Sequence, residues 1–309
     1  MDEERLENLA NLLNTTSEAL KLKFSENQLS KLPKTFSKHI PALCKQKFHS
    51  TSVDKISGLA KLETTNGRVF FGPQSQNNHR VQFEFVKDIC PPEVMAETFL
   101  LALDITQRYL TDFTWFPKSV LPTRGGTVIE LGAYLGHKTI RFVDECVGLS
   151  GKVLAVEMMP YNIDILKTNV LANDLDAQIE IMECGVWNEP TVLSVRGKGR
   201  QRTTLVEMEK LDNDMGVDAT CKTLDQIIED WKVDVVDFLM VTVNGAEIEA
   251  LEGLNECASR VKSVFVATPY SRDGVRNSDP CRGLLEERGF SIIEEYTTKN
   301  RIYAKQPEH

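Results

Sequence analysis

The sequence lacks the features that mark secreted, membrane-spanning and zinc-binding proteins. It has no C-x-x-C pair, and its seven cysteines lie far apart: Cys44, Cys90, Cys146, Cys184, Cys221, Cys257 and Cys281. This spacing argues against a zinc site and for buried thiols in a reducing compartment. No uninterrupted apolar run approaches the roughly 20 residues that cross a bilayer. The N-terminus is acidic where a signal peptide is basic and then apolar. We therefore expect a cytoplasmic protein without a membrane segment.

An excess of basic residues is also absent. The formal net charge is -9, and no basic stripe runs along the chain, so we expect no nucleic-acid partner. Four basic residues do cluster within residues 196–202. They could bind an acidic substrate, and a solvated loop is the alternative interpretation. The length of 309 residues suits one large α/β domain or one domain with a substantial N-terminal addition.

The first 122 residues carry no evident chemistry. Residues 1–60 are predicted to be helical and polar, residues 65–73 to form a β-hairpin, and residues 81–85 to form a half-buried strand. A long helix is predicted over residues 93–110. We interpret residues 1–122 as a helical and hairpin extension that serves as a cap or as the contact of a homo-oligomer, with the domain boundary near residue 122.

From residue 123 to residue 309, short apolar runs alternate with helical patterns. This alternation predicts an α/β fold with a doubly wound, mostly parallel sheet. The last two of its seven predicted strands resemble an antiparallel pair and break the parallel pattern. The predicted strands are 127–131, 152–157, 178–182, 235–242, 264–268, 291–296 and 301–304. Ligands of such sheets bind outside the carboxyl ends of the strands.

A glycine-containing turn after the first of these strands is the first candidate for ligand binding. Glu130 precedes the turn, and Gly132 and Gly136 bracket it before a helical pattern. Glycine lets backbone N–H groups approach a ligand, so alanine at position 132 is predicted to obstruct the ligand more than the fold. The dinucleotide fingerprint instead has a glycine where this chain has Glu130. The pattern favours a ligand with an ammonium group, such as S-adenosylmethionine, although an ordinary strand–turn–helix has the same pattern.

A second acid, Glu157, ends the next predicted strand. A carboxylate at this position can accept both hydrogen bonds of a ribose diol, a role common among nucleotide cofactors. The loop after the third strand, residues 183–187, is predicted to lie beside an adenine, because its glycine and small side chains leave room for a planar ring. A solvated acid at a strand end is the alternative interpretation for Glu130 and Glu157.

The order of these motifs resembles the FkbM family. The resemblance covers about residues 123–305, and the first 120 residues have no match beyond the hairpin. It is carried by five segments: residues 128–136, 153–160, 222–225, 237–247 and 251–253. It implies a class I methyltransferase fold, S-adenosylmethionine as cofactor, and methyl transfer to oxygen atoms of small molecules or saccharides. The cofactor contacts predicted on this basis are Glu130, Gly132, Ala133, Tyr134, Gly136, Glu157, Met158, Glu183, Cys184 and Gly185.

The fourth-strand motif departs from the pattern usual in that family, Lys-Ile-Asp-Val-Glu-Gly-Ala-Glu. Met240, Thr242 and Asn244 replace its lysine, its aspartate and its first glutamate, whereas Glu247 remains. Two of these departures remove carboxylates from the presumed active-site edge. A metal site is therefore not expected, because Mg²⁺ and Ca²⁺ require clustered carboxylates.

Methyl transfer to a hydroxyl requires positioning of both reactants and removal of a proton. The predicted catalytic residues are His137, Thr242, Asn244 and Glu247. His137 follows the glycine turn and is a candidate base, or it packs at the helix start. Glu247 is the other candidate, or it holds the turn after the fourth strand.

Three classes of function follow from the sequence. The first is an S-adenosylmethionine-dependent methyltransferase that acts on a hydroxyl of a small-molecule or saccharide acceptor. The second is a protein of the same fold that binds the cofactor but has lost catalysis, as the changes at Thr242 and Asn244 would allow. The third is a nicotinamide-dependent oxidoreductase, which Glu130 and the missing G-x-G-x-x-G loop disfavour.

Overall fold

The structure is a computed structural model that describes residues 48–74, 99–105, 108–109, 116–196 and 216–307. The chain divides into two compact units, residues 1–111 and residues 112–309, and each is described by itself. The domain boundary near residue 122 stays a prediction.

Several predicted elements lie outside the described residues. They are the helices before residue 48, the strand at residues 81–85 and the basic run after Arg196. The helix predicted at residues 93–110 is described only in part, as α1 (Phe99–Ile105) and a short π-helical piece at residues 108–109.

The first unit contains a three-stranded antiparallel sheet in the order β1 (Phe48–Val53), β2 (Ala60–Thr64) and β3 (Val69–Gly72). The predicted hairpin is confirmed, since β2 and β3 pair across a turn in which Gly67 has a φ of 84°. The prediction that residues 1–60 are helical is wrong for Phe48–Val53, which form β1. This segment contains β-branched residues, and its backbone groups bond to the edge of the hairpin instead.

The second unit alternates strands and helices along the chain. In chain order they are β4 (Thr127–Leu131), α2 (His137–Arg141), β5 (Lys152–Glu157), α3 (Pro160–Leu171), β6 (Ile179–Glu183), β7 (Gly185–Val186), β8 (Thr191–Arg196), β9 (Gly216–Lys222), α4 (Leu224–Trp231), β10 (Phe238–Val241), α5 (Glu247–Glu252), β11 (Ser263–Ala267), β12 (Ser271–Arg272), β13 (Val275–Arg276), α6 (Ser278–Glu287), β14 (Ser291–Ile292) and β15 (Arg301–Lys305). A π-helical turn, Phe142–Val147, follows α2, and a 3₁₀ turn, Ala258–Arg260, precedes β11.

The central sheet has seven strands in the order β14-β15-β11-β10-β4-β5-β6, which confirms the predicted count and fold class. From β11 to β6 every neighbouring pair is parallel. The expectation that the last two strands both break the pattern needs correction. β15 runs antiparallel to both β11 and β14, so β14 runs in the same direction as the parallel strands. The short connection from β14 to β15 explains this, since it can join only an antiparallel pair.

The core lies on both faces of the parallel strands, as continuous apolar runs predict. Its central side chains have almost no exposed surface: Ile129, Leu131, Leu154, Val156, Leu239, Val241, Val264 and Val266. Pro160 occupies the first turn of α3, and Thr223 caps α4 in a reciprocal pair with Gln226. Leu171 is exposed although its neighbour Val170 is buried, because it lies one residue further around the last turn of α3.

A small second sheet in the order β7-β9-β8 was not predicted. The alternation of apolar residues in β8 was visible in the sequence, but β9 was assigned no structure before the α4 cap. β7 has only two residues, and its pairing with the end of β9 depends on residues far apart in the chain. Local sequence patterns carry no signal for such a pairing.

Candidate active site

The order in which the chain adds strands to the sheet reverses at β4. The next strand in sequence, β5, pairs with one side of β4, while β10 pairs with the other side. The carboxyl ends of these three strands therefore meet at a topological switch point, where ligands of open α/β sheets bind. The predicted site residues Glu130, Glu157 and Thr242 all lie in or directly after these strand ends.

The turn after β4 is fastened to the end of β5. The N–H groups of Gly132 and Ala133 donate to the Val156 carbonyl at 2.9 and 3.1 Å. Tyr134 adopts a left-handed backbone with a φ of 57°, and Gly136 has a φ of 82° at the start of α2. The turn is therefore a tight structure with little freedom to rearrange.

Gly132 is required for a different reason from the one predicted. Its φ is 75°, and a Cβ at this position would overlap the carbonyl oxygen of Thr242 in the chain leaving β10. The prediction that alanine would disturb the ligand more than the fold is therefore wrong. The missing side chain lets two backbone segments pack against each other.

Glu157 holds the turn from the opposite side. Its Oε2 accepts from the Tyr134 N–H at 2.8 Å, and its Oε1 accepts from Met159 and Met158 N–H at 3.0 and 3.1 Å. Burial raises the pKa of this carboxyl, while the N–H groups of Met159 and Tyr134 act to lower it. Glu157 is 7% exposed to solvent. A carboxylate in this setting fixes the loop and still offers lone pairs to a ligand.

Glu130 is buried at the end of β4, and its Oε2 accepts from the Thr139 hydroxyl of α2 at 2.6 Å. This contact joins the strand to the helix that follows the turn. The predicted contact of Glu130 with the methionine end of a cofactor stays a prediction.

The predicted adenine loop follows β6, which pairs with β5 so that Glu183 lies beside Glu157. The Glu183 carboxylate is half exposed and pairs with Lys167 Nζ of α3 at 2.5 Å. Cys184 is buried, and burial raises the pKa of its thiol to about 11. A Cβ at Gly185 would overlap Cys221 Sγ of β9 and lie 3.3 Å from Met158 Sδ, so the missing side chain lets β7 pack against β9 and the segment after β5.

The chain leaving β10 carries the predicted acceptor side of the site. The Thr242 hydroxyl donates to the Leu131 carbonyl at 2.9 Å, which links this segment to β4. Asn244 has a left-handed backbone with a φ of 52°, and its Oδ1 accepts from the Tyr270 hydroxyl at 3.1 Å. Asparagine tolerates this conformation better than most residues. The asparagine at position 244 therefore suits its backbone conformation.

Glu247 begins α5 and has no exposed surface. Its Oε1 accepts from the Gly245 N–H at 2.7 Å, and its Oε2 accepts from Asn277 Nδ2 at 2.8 Å. Of its two predicted roles, this geometry favours holding the turn after β10.

His137, the other candidate base, is the first residue of α2 and is buried. Its position directly after Gly136 brings it to the carboxyl edge of β4, next to the turn that Glu157 holds. The predicted role of His137 in proton removal stays a prediction.

The titration of Glu247 provides a test of this arrangement. Burial raises the pKa of its carboxyl, so the folded protein holds this proton more tightly than the unfolded chain. The raised pKa of Glu247 therefore adds to the free energy of unfolding. This addition is fully present below the ordinary carboxyl pKa of about 4.3 and is lost as pH rises through the pKa of the folded state. Relative to Glu247→Gln, the wild-type free energy of unfolding should therefore decrease with increasing pH.

Urea denaturation of both proteins at several pH values measures this difference. Glu180→Gln, which alters an exposed carboxyl of β6, controls for the general effect of removing a charge. A wild-type advantage that grows with pH would contradict the assignment of a raised pKa.

Sequence patterns missed several residues of this region. Asn162 lies 3.4 Å from Glu157, Tyr270 donates to Asn244, and Asn277 donates to Glu247. The sequence Asn-Ser-Asp-Pro at residues 277–280 does contain a helix-start signal. Nothing in it indicates that Asn277 reaches a carboxylate 30 residues away.

The described residues contain no group of three or more histidine, cysteine, aspartate or glutamate side chains arranged to hold a metal ion. No helix in the described ranges is both long enough and apolar enough to cross a bilayer.

The residues at the switch point fit S-adenosylmethionine. Glu130 and Glu157 place carboxylates at the ends of adjacent strands, where they can accept hydrogen bonds from an ammonium group and a ribose diol. The left-handed φ of Gly132 permits the tight turn between them. Glu130 and the turn would hold the methionine end, and Glu157 would hold the ribose.

Comparisons of the sequence with known proteins point to methyltransferases. Residues 130–292, more than half of the chain, match the family model described as the methyltransferase FkbM domain. Methyltransferase sdnD of Sordaria araneosa is 24% identical over 177 residues, which is 47% of this chain. The match spans 66% of the length of that relative.

Solved structures of methyltransferases also align with the chain. The methyltransferase FkbM of Methylobacillus flagellatus aligns with a TM-score of 0.44 and 13% identity, over 74% of this chain and 59% of its own. Fibrillarin of Aeropyrum pernix in complex with S-adenosylmethionine aligns with a TM-score of 0.39 and 13% identity, over 84% and 99%. The family match carries the assignment: the chain belongs to the FkbM family of methyltransferases.

Proposed function

We propose that this protein transfers the methyl group of S-adenosylmethionine to a hydroxyl oxygen of a small-molecule or saccharide acceptor. The supporting observation is the neutral hydrogen-bonding character of the segment after β10. Thr242 offers the lone pairs of a hydroxyl that donates to the Leu131 carbonyl, and Asn244 offers an amide whose Oδ1 already accepts from Tyr270. Neutral donors and acceptors of this kind suit hydroxyl groups, which both donate and accept.

The bound cofactor supplies a methyl group on a positively charged sulfur. The protein contributes positioning, which accounts for much of the acceleration of an in-line displacement. Glu157 acts on the β5 side of β4, and the segment of Thr242 and Asn244 acts on the β10 side. Cofactor and acceptor would therefore be held by neighbouring strand ends whose spacing is fixed by the sheet.

The acceptor hydroxyl must also lose its proton, and we assign this task to His137. Both oxygens of Glu247, the alternative, already accept hydrogen bonds from Gly245 and Asn277, which hold the turn after β10. A neutral imidazole can take the proton at a ring nitrogen as the new bond to the acceptor oxygen forms.

Replacement of His137 by asparagine should lower kcat by roughly 10²–10⁴-fold, the usual contribution of a general base. The affinity for S-adenosylmethionine should change little. The wild-type rate should fall on acidification, because a protonated imidazole cannot accept a proton, and this dependence should be absent from His137→Asn. Initial rates across pH and calorimetric titration of the cofactor measure both effects.

His49→Asn, which changes an exposed histidine of β1, is the matched control. Turnover by His137→Asn within about threefold of the wild type, well below the usual contribution of a base, would assign the proton to another group.

The acceptor class is tested with S-adenosylmethionine that carries a labelled methyl group. A panel of methyl glycosides and small alcohols is compared with amines, thiols and carboxylic acids, and NMR of the products locates the methyl group. Methyl ethers are the expected products. Transfer confined to nitrogen, sulfur or carboxylate oxygen would contradict the proposal.

A further inference from the structure

The central sheet ends on one side at β6, and no other strand of the described residues pairs with the outer edge of β6. At the opposite end of this sheet β14 has only two residues, whereas β6 has five. The edge of a sheet presents N–H and C=O groups to which another chain can bond, and a very short edge strand is one way in which proteins prevent this. Of the two edges of the central sheet, β6 is therefore the one suited to accept a further strand.

The register of β6 shows which of its backbone groups point away from the sheet. The Val153 N–H of β5 donates to the Gln178 carbonyl at 2.8 Å, and Val153 is aligned with Ile179. Because hydrogen bonding alternates along a strand, Gln178 and every second residue after it bond to β5, and the backbone groups of Ile179 and Ile181 face outward. The Ile179 N–H already donates to the Leu175 carbonyl at 2.9 Å. Ile181 is therefore the residue best placed to bond to another strand.

A groove of about 430 Å³ lies beside this edge. Its lining combines residues 176–181 with the end of α3 and with Trp231 of α4. Leu171, which lines the groove, is 63% exposed, and Leu149, whose carbonyl accepts from Gln178 Nε2 at 3.3 Å, is 73% exposed. They are the two most exposed large apolar side chains in the described part of the second unit. A groove with apolar walls along a sheet edge is the setting in which an extended segment adds to a sheet.

The charges of the groove lining suit a second copy of this chain. The protein as a whole carries a formal net charge of -9, which makes two copies repel each other. The lining instead contains two basic and two acidic residues, namely Lys152, Lys167, Asp176 and Glu180. A surface that carries both signs equally can meet its own copy without net repulsion.

Antiparallel pairing of β6 with β6 of another copy uses the outward-facing groups. In a register centred on Ile181, the two copies of Ile181 exchange both N–H to C=O hydrogen bonds and bring their half-buried side chains together. Glu180 of one copy then lies opposite Met182 of the other. A register centred on Glu180 would instead place two carboxylates opposite each other, which destabilises a sheet. The register centred on Ile181 avoids this repulsion.

We propose that this protein forms a dimer in which the two copies of β6 pair in the register centred on Ile181. Two seven-stranded sheets then become one continuous sheet. The groove beside each β6 is occupied by the strand of the other copy. The proposal does not depend on the identity of the acceptor.

Ile181→Lys tests this pairing, because lysine on an edge strand is a common means of preventing it. Two like charges would lie opposite each other at the centre of the contact, so the dissociation constant of the dimer should rise at least about tenfold. Sedimentation equilibrium of the full chain should give twice the mass of one chain for the wild type and a mass near that of one chain for the variant at the same concentration. Circular dichroism verifies that the variant is folded.

Val192→Lys is the matched control. Val192 is 60% exposed and lies on β8, an edge strand of the small sheet. The same new charge at this position should leave the mass of the dimer unchanged.

Ile181→Cys gives a second measurement that does not depend on the folding of Ile181→Lys. The Cα atoms of a directly opposed, hydrogen-bonded pair lie about 5.5 Å apart, which is within the range of a disulfide. Mild oxidation should therefore convert Ile181→Cys into a covalent dimer on a non-reducing gel. The wild type shows how far its own cysteines react, and Val192→Cys shows how often exposed thiols meet by collision.

A wild type that sediments as a single chain would leave the groove to another extended segment and would overturn the inference. A dimer that persists in a folded Ile181→Lys would place the contact elsewhere, such as in residues 1–122, where the sequence suggested one, and would overturn it too. Covalent dimer of Ile181→Cys no more abundant than that of Val192→Cys would have the same consequence. All these outcomes leave the proposed function intact, because Ile181 is not among the residues assigned to the cofactor or the acceptor.

Discussion

Replacement of Gly132 by alanine is expected to remove a large share of the folding stability of this protein. The new Cβ would overlap the Thr242 carbonyl oxygen, and both groups belong to backbone that is held by the sheet. Overpacking of this kind costs about 1–3 kcal/mol, and the left-handed backbone adds about 1–2 kcal/mol. The free energy of unfolding of a typical domain is only roughly 5–15 kcal/mol. Urea denaturation followed by circular dichroism measures the loss.

Gly125→Ala is the matched control. Gly125 has a similar φ of 81°, but a Cβ there meets only Ser150 Oγ at an ordinary 3.6 Å. It should show the cost of the backbone conformation without the overlap. Equal losses for the two variants would mean that the contact with Thr242 has no energetic importance.

Replacement of Glu157 by alanine is expected to abolish tight binding of both S-adenosylmethionine and S-adenosylhomocysteine. The carboxylate accepts from three backbone N–H groups and holds the turn that begins at Gly132. Loss of one charge-assisted hydrogen bond costs roughly 1.5–3 kcal/mol, or about tenfold to a hundredfold in affinity. Calorimetric titration should show at least this reduction, because the variant loses both the ligand contact and the support of the turn.

Glu180→Ala, an exposed acid on the neighbouring strand β6, should bind both ligands like the wild type. Glu157→Gln retains the size of the side chain and keeps one acceptor, so its affinity should lie between those of the wild type and Glu157→Ala. Wild-type titration curves for a folded Glu157→Ala protein would remove this residue from the cofactor site.

The strands of the central sheet could be predicted because each is a short apolar run between turns. The acids at their ends, Glu130 and Glu157, could be assigned to the carboxyl edge for the same reason. The spatial neighbours of these acids could not be predicted. Whether Glu247 faces a substrate or a turn depends on Gly245 and Asn277, and the second contact bridges 30 residues.

The reason for the glycine at position 132 could not be predicted from the sequence either. A positive φ at Gly132 could be expected from the turn, but the overlap with Thr242 depends on the pairing of β4 with β10. That pairing joins segments about a hundred residues apart and follows from the order of strands in the sheet. The missed sheet of β7, β8 and β9 has the same explanation, since two of its strands are recognisable only through their partner.

The contact between Gly132 and Thr242 means that the two halves of the active site cannot change sequence independently. A residue with a side chain at position 132 requires the chain after β10 to move, and that chain carries the groups assigned to the acceptor. Substitutions on the two segments should therefore be non-additive in double-mutant cycles, with coupling of about 0.5–3 kcal/mol for residues in contact. New acceptor specificity in this chain would then have to evolve through changes at the β10 turn that leave the Thr242 carbonyl where it is.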